Sequence, residues 1–149
     1  MSHKGIRLLL EKTAESIADD IQFSYATETD FNQGKKTGSI LVNVSPLVSV
    51  PAYRVNGTSN YMKQWNIEMA FYKPDNSNAL EYKTILDDLD TIVDQFINQL
   101  NFKSQKADEI TLSAFNQTPF IKATSDILTG WLLTFQILAN DDYDYCLDC

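Results

Sequence analysis

The sequence predicts an α+β fold, in which an antiparallel or mixed β-sheet is packed by two helices. One stretch alternates apolar and polar side chains every two residues, and two stretches carry apolar residues at helical spacing. A third observation is the Asn56-Gly57 pair, a turn signal that separates two strand-like runs. Together these give the predicted order α-β-β-α-β-β, followed by an extended C-terminal tail.

One domain accounts for the whole chain of 149 residues, which is long enough to bury its own core. We expect this core at about residues 5–138. Loops are predicted at 22–39 and 45–60, and an acidic tail at 139–149. No apolar run reaches the ~20 residues that span a bilayer, so no membrane partner is expected.

The first predicted helix covers residues 5 to about 21. Charged residues such as Arg7, Glu11 and Asp19 lie off its apolar stripe. The stripe consists of Ile6, Leu9, Leu10, Ala14, Ile17 and Ile21.

The predicted strands follow this helix. The β-branched stretch at 39–51 contains Pro46 and Pro51, which favour an edge strand or a broken strand. The clearest strand runs over 61–73, where an apolar set alternates with polar residues as in a half-buried antiparallel strand. That apolar set is Trp65, Ile67, Met69 and Phe71, and it alternates with Gln64, Asn66, Glu68 and Tyr72.

A long second helix is predicted next, with Asn78 as its N-cap and Glu81 in capping-box spacing. Two further strands are predicted around 109–115 and 126–138. The apolar stripe of the helix is Tyr82, Ile85, Leu86, Leu89, Ile92, Val93, Phe96, Ile97 and Leu100, and its opposite face carries Asp87, Asp88, Asp90 and Asp94.

Charge is unevenly distributed along the chain. Residues 1–79 hold eight Lys/Arg and eight Asp/Glu, whereas residues 80–149 hold four Lys and twelve Asp/Glu, which gives the net charge of −8. Such an acidic half disfavours wrapping nucleic acid, because phosphate binding depends on Lys and Arg. It permits a surface past which DNA slides without being held.

Both cysteines, Cys146 and Cys149, lie in C-x-x-C spacing at the end of the chain. A structural zinc site needs four Cys or His ligands, and the only histidine is His3. The neighbouring aspartates disfavour a reactive thiolate. We therefore interpret the cysteines as ordinary thiols, with a metal shared between subunits as the remaining alternative.

No catalytic signature is present, and no enzyme activity, metal or cofactor is predicted. The aspartates of the second helix are interpreted as a solvated face or a subunit contact, and the competing hypotheses are a general acid/base group and a divalent-metal cluster. His3 is expected in a frayed terminus, where it is a poor general base for a nucleophile.

Residues in predicted loops, in the tail and on the acidic helix are instead candidates for contacts with other subunits or partners. Aromatic residues are enriched at protein–protein contacts, and basic residues can meet an acidic neighbour. We expect Lys35 and Lys36 to contact the 87–94 face of another subunit. The complete set of candidates is Lys35, Lys36, Tyr53, Arg54, Asp87, Asp88, Tyr143 and Tyr145.

Three segments in this order carry a family resemblance: "KQWNIEMAFYKPD", "NALEYKTILDDLDTIVDQFINQLN" and "ILTGWLLTFQILANDDYDYC". Their layout resembles tail-terminator and head–tail connector proteins of tailed bacteriophages, and related minor tail proteins. The resemblance covers most of residues 5–145 and is one of layout, without a diagnostic motif.

This resemblance implies a structural virion protein that forms a closed ring, a hexamer or a dodecamer, between tail tube and neck. The implied partners are further copies of the chain and other neck and tail proteins, with DNA passing through the lumen without specific binding. Assembly in the host bacterial cytoplasm and a final place in the phage tail or neck follow from it. We expect the acidic faces to line the lumen. Whether the ring is a terminator or a stopper stays open, and the alternative is a small bacterial adaptor that pairs a partner with an edge strand.

Overall fold

Two helices and seven strands are present in the computed structural model, which describes residues 1–25, 40–54, 61–74, 81–106, 110–121 and 128–140. The elements are α1 (His3–Glu15), β1 (Ile21–Tyr25), β2 (Ile40–Val44), β3 (Val48–Arg54), β4 (Tyr61–Pro74), α2 (Glu81–Lys106), β5 (Ile110–Leu112), β6 (Asn116–Phe120) and β7 (Leu128–Asn140). The predicted α+β class and mixed sheet are confirmed. The predicted order is wrong, because four strands rather than two precede α2 and three rather than two follow it.

Helix α1 begins two residues before its predicted start and ends six residues before its predicted end. The Ser2 hydroxyl accepts a hydrogen bond from the Gly5 amide at 3.0 Å and caps the N-terminus. At the other end, the Ser16 hydroxyl donates to the Thr13 carbonyl at 2.7 Å. The chain then enters β1, so residues 22–25, predicted as loop, are strand.

Strands β4 and β7 form the centre of the sheet and pair antiparallel over their whole length, from Met62 opposite Asn140 to Pro74 opposite Leu128. On the outer side of β4, β2 pairs with its second half and β3 with its first half. On the outer side of β7, β6 pairs with its first half and β5 with its second half. Strand β1 extends the sheet beyond β2 in parallel. Beside each central strand there are therefore two short strands, one after the other, with a gap between them. Each such pair is a flanking strand that is interrupted halfway.

The interruptions correct two predictions. Residues 48–54, predicted within the loop at 45–60, form β3, whose register shifts between Pro51 and Tyr53. Proline cannot donate to a strand ladder, so a broken strand next to β4 agrees with the prediction made from the prolines. The strand predicted around 109–115 is β5, which already ends at Leu112, and β6 at Asn116–Phe120 is an additional strand that was not predicted.

The core lies between the two helices and one face of the sheet. Inward residues of the sheet, such as Phe71 of β4, are buried against α2, and the rings of Phe71 and Phe96 meet edge-on at 5.4 Å. Burying such side chains is the main stabilising contribution in a domain of this kind. The buried core includes Ile6, Leu9, Leu10, Val42, Val44, Ile67, Met69, Leu89, Val93, Leu100, Leu133, Phe135 and Ile137.

Helix α2 continues to Lys106, beyond its last predicted apolar residue, whereas its predicted cap Asn78 lies outside the described residues. Two polar contacts join it to the sheet. The Trp131 indole N–H donates to the Leu86 carbonyl at 2.9 Å, and the Gln117 amide donates to Asp90 at 2.8 Å. Within the described part of the chain, neither helix combines the length and the apolar character of a membrane span.

Candidate interaction surfaces

An acidic stripe, defined as Asp87, Asp88 and Asp94, lies along the exposed side of α2. Asp87 and Asp94 are seven residues apart, so they occupy the same side of the helix about 10 Å apart at the helical rise. None of the three forms an ion pair with another residue in the described part of the chain. Within the described part of the chain, the stripe is therefore a row of exposed carboxylates without ion pairs.

Asp90, predicted on the same polar face, does not belong to the stripe. It is half-buried, and its carboxylate accepts the hydrogen bond from Gln117 on β6. A side chain on the flank of α2 can reach the sheet, because the helix packs across β4, β5 and β7. Asp90 therefore has a structural contact, and the exposed acids are three rather than four.

The predicted contact residues are distributed over different parts of the fold. Asp87 and Asp88 are exposed on α2, as a subunit contact requires. Tyr53 and Arg54 belong to β3, where their backbones pair with Met62 and Tyr61 on the opposite side of β4 from β7. The remaining candidates, Lys35, Lys36, Tyr143 and Tyr145, lie outside the described residues.

The cysteine pair also lies outside the described residues, as Cys146 and Cys149 both follow β7. The described residues contain no group of three or more His, Cys, Asp or Glu side chains placed to hold a metal ion. The hypothesis of a metal shared between subunits at the tail stays a hypothesis.

Helix α1 carries basic residues on its exposed side. Lys4 is exposed and Arg7 is half-exposed, and the first turn contains no acid. Further along, Lys12 pairs with Glu15 at 3.6 Å. Burial, and then repulsion from Glu15, raises the pKa of Glu11. The helical side of the molecule therefore presents a basic region on α1 and the acidic stripe on α2.

His3 is part of α1 rather than of a frayed terminus, which corrects the expectation from the sequence. Its Nε2 lies 2.9 Å from the Tyr25 hydroxyl, and that hydroxyl accepts the Leu47 amide at 3.0 Å. The His3 ring also meets the Tyr25 ring edge-on at 5.5 Å and lies 6.3 Å from the Trp65 ring. The histidine thus helps to connect α1, β1 and the segment between β2 and β3.

The outward face of the sheet carries a trough of about 580 Å³ that crosses the strands. It lies where both flanking strands are interrupted, at residues 45–47 beside β4 and at 113–115 beside β7. Outward side chains of neighbouring strands stand opposite each other and make two rows across the trough. The first row is Val48, Asn66 and Gln136, and the second is Glu68, Thr134 and Asn116.

Charge is scarce in the trough. Among the described residues that line it, Glu68 alone is ionisable. Its exposed carboxylate makes no hydrogen bond or ion pair with any described residue. The other polar groups are carboxamides and hydroxyls, which both donate and accept hydrogen bonds. An apolar wall is formed on one side by Val48, whose side chain is 56% exposed. The trough can therefore accept a polar guest that carries a single positive charge.

Sequence reasoning did not identify this trough. The alternation in β4 placed Asn66 and Glu68 on its polar face, but their partners on β7 and β6 follow only from the strand register. The one available signal was the interruption of the strand by Pro46. No model of a known protein family matches the chain, and no characterised protein matches it.

Proposed function

We propose that the chain is a structural virion protein of a tailed bacteriophage, a terminator or connector that forms a ring at the head–tail junction or the tail end. The ring joins the tail tube to the neck around the DNA channel. The observation that carries the proposal is the acidic stripe on α2, which is exposed and forms no ion pair with the described residues. The layout of the sequence, with its resemblance to such proteins, supplies the context.

In this proposal the stripe faces the lumen. A channel wall that carries Asp87, Asp88 and Asp94 from every copy repels the phosphates of DNA. It offers no cation that could replace the counterions of the DNA, so the DNA passes without being held. The net charge of −8 acts in the same direction. A wall of this kind suits a conduit, since a duplex bound tightly at the junction would be slow to leave.

Ring closure requires two different surfaces of each copy to meet, because a closed ring is built from head-to-tail contacts. The basic region of α1, with Lys4 and Arg7, is one surface of suitable charge for an acidic neighbour. The sequence predicts instead that Lys35 and Lys36 contact the 87–94 face of another subunit, which is the alternative to a stripe that faces the lumen. If these lysines make the contact, reversing both charges lowers the mass of the assembly, and an unchanged assembly contradicts their role.

The lumen assignment is tested by reversing two charges of the stripe, in the variant Asp87→Lys/Asp88→Lys. The matched control is Asp19→Lys/Asp20→Lys, because these two aspartates are also adjacent and exposed and their reversal changes the charge equally. Light scattering measures the mass of the assembly, and co-sedimentation at low salt measures DNA retention.

We expect the stripe variant to assemble like the wild type and to retain DNA, with retention falling as salt rises. Wild type and control should retain little. If the stripe variant retains no more DNA than the control, the stripe does not face the channel. If it no longer assembles while the control does, the stripe is a subunit contact.

The second candidate function is an adaptor that binds a partner through an edge strand. Strand β1 favours it, because β1 pairs with β2 on one side only among the described elements. Such an edge can accept an extended strand from another protein. Two results together would support this function over the ring. The chain would stay monomeric, and the β1 amides would become protected from hydrogen exchange when a partner binds.

A further inference from the structure

We propose that the trough on the outward face of the sheet binds an extended segment of a second, different protein, whose lysine or arginine side chain pairs with Glu68. The trough is separate from the acidic stripe, because Glu68 points away from the face of the sheet that packs against α2. The inference needs only one copy of the chain, so it holds or fails independently of ring formation.

The dimensions suit a short extended segment. The trough crosses four strand positions, from the flanking strand beside β4 to the one beside β7. The three spacings between these positions give a width of about 14 Å, which about four residues of extended chain would span. Its volume of about 580 Å³ lies in the range typical of ligand sites.

The charge in the trough selects a basic guest. Glu68 has no counter-charge among the described residues. The lysines of its own strand cannot supply one, because Lys63 and Lys73 alternate onto the other face and the Lys63 ammonium lies 5.4 Å from the Trp65 ring centre. A lysine or arginine from outside would form a charge-assisted hydrogen bond with the carboxylate.

The uncharged groups match a peptide backbone. Asn66 and Gln136 lie side by side in one row, and Thr134 and Asn116 lie in the next. Their amide and hydroxyl groups can donate to carbonyls and accept from N–H groups, and a peptide backbone offers both. The exposed Val48 can cover one apolar side chain of the guest.

The same geometry argues against a symmetric pair of copies. Face-to-face packing around a twofold axis through the trough would bring two Glu68 carboxylates together with nothing positive between them. A protein that presents a basic extended segment does not meet this obstacle.

The test begins with a selection of random nine-residue peptides against the purified chain by messenger-RNA display. Fluorescence anisotropy then measures the affinity of each selected peptide for the wild type, for Glu68→Gln and for the control Asp19→Asn, which removes an exposed carboxylate elsewhere. Glu68 is exposed, so Glu68→Gln should fold normally, and circular dichroism checks this. The side-chain amide signals of Asn66 and Gln136 report the binding site by nuclear magnetic resonance.

We expect the selected peptides to share a lysine or arginine, to bind Glu68→Gln at least tenfold more weakly than the wild type, and to bind Asp19→Asn within twofold. The Asn66 and Gln136 amide signals should shift on binding. The proposal is overturned if the peptides lack a basic residue, if both variants lose affinity equally, or if those amides do not shift. It is also overturned if Glu68→Gln changes the oligomeric mass, because a second copy would then occupy the trough.

Discussion

Gly130→Ala tests the β4–β7 register, which aligns the two rows of the trough. A Cβ atom at this position would collide with the Phe71 carbonyl and lie 2.6 Å from the Cα of Tyr72, whereas ordinary contact begins at 3.4 Å. The strands would therefore have to separate by at least 0.8 Å (3.4 − 2.6), and further to clear the nearer Phe71 carbonyl. A ladder hydrogen bond of about 2.9 Å stretched by that amount is no longer a good hydrogen bond.

Overpacking of this kind costs about 1–3 kcal/mol, and each weakened backbone hydrogen bond adds about 1 kcal/mol. We expect Gly130→Ala to lower the free energy of unfolding by about 2–4 kcal/mol, out of the ~5–15 kcal/mol typical of a domain. Urea denaturation followed by tryptophan fluorescence measures the change. The control is Thr118→Ala on β6, an exposed position where the effect should stay within about 0.5 kcal/mol. If Gly130→Ala matches this control, the close approach at Gly130 is wrong.

Three further substitutions test the packing. Phe96→Ala removes the buried ring against Phe71 and should cost about 3–5 kcal/mol in the same assay; a cost near 1 kcal/mol would contradict the placement of α2. Tyr25→Phe leaves the Leu47 amide without its acceptor and should cost about 1–2 kcal/mol, whereas no change would mean that the contact is unimportant. Burial lowers the pKa of Lys103 from 10.5. Below the lowered pKa the buried ammonium destabilises the fold, and the fold becomes more stable as the pH rises through that pKa and the ammonium loses its proton. Lys103→Met should remove the gain that appears as the pH rises toward 10.5, and a wild-type slope in the variant would refute it.

Periodicity predicted the long elements because each repeats one pattern over many residues. The alternation around Trp65 and Phe71 identified β4, and the stripe that includes Leu89 and Phe96 identified α2. The short strands were missed for a physical reason. Strand β1 has the alternating sequence IQFSY, but five residues are too few to outweigh the helical stripe before it, to which Ile21 also fits. Its pairing partner β2 begins 15 residues after β1 ends, so local sequence does not reveal the pairing.

The candidate surfaces were predictable to different degrees. Helical spacing placed Asp87 and Asp88 on an exposed face, which the structure confirms, but it could not separate Asp90, whose partner Gln117 lies 27 residues away. The trough depends on which residues of β4 and β7 stand opposite each other. The alternation of β7 excludes a shift of one residue, which would turn Phe135 and Ile137 away from the core. A shift of two residues keeps every side chain on its own face, so the pattern does not decide which residues stand opposite each other.

The location of the acidic stripe in an assembled particle tests the central claim most directly. Cryo-electron microscopy of the purified chain at high concentration would place Asp87, Asp88 and Asp94 relative to any channel. The account predicts a closed ring with these three residues on its inner wall. A ring that carries them on its outer rim, or a chain that stays monomeric at millimolar concentration, would contradict it.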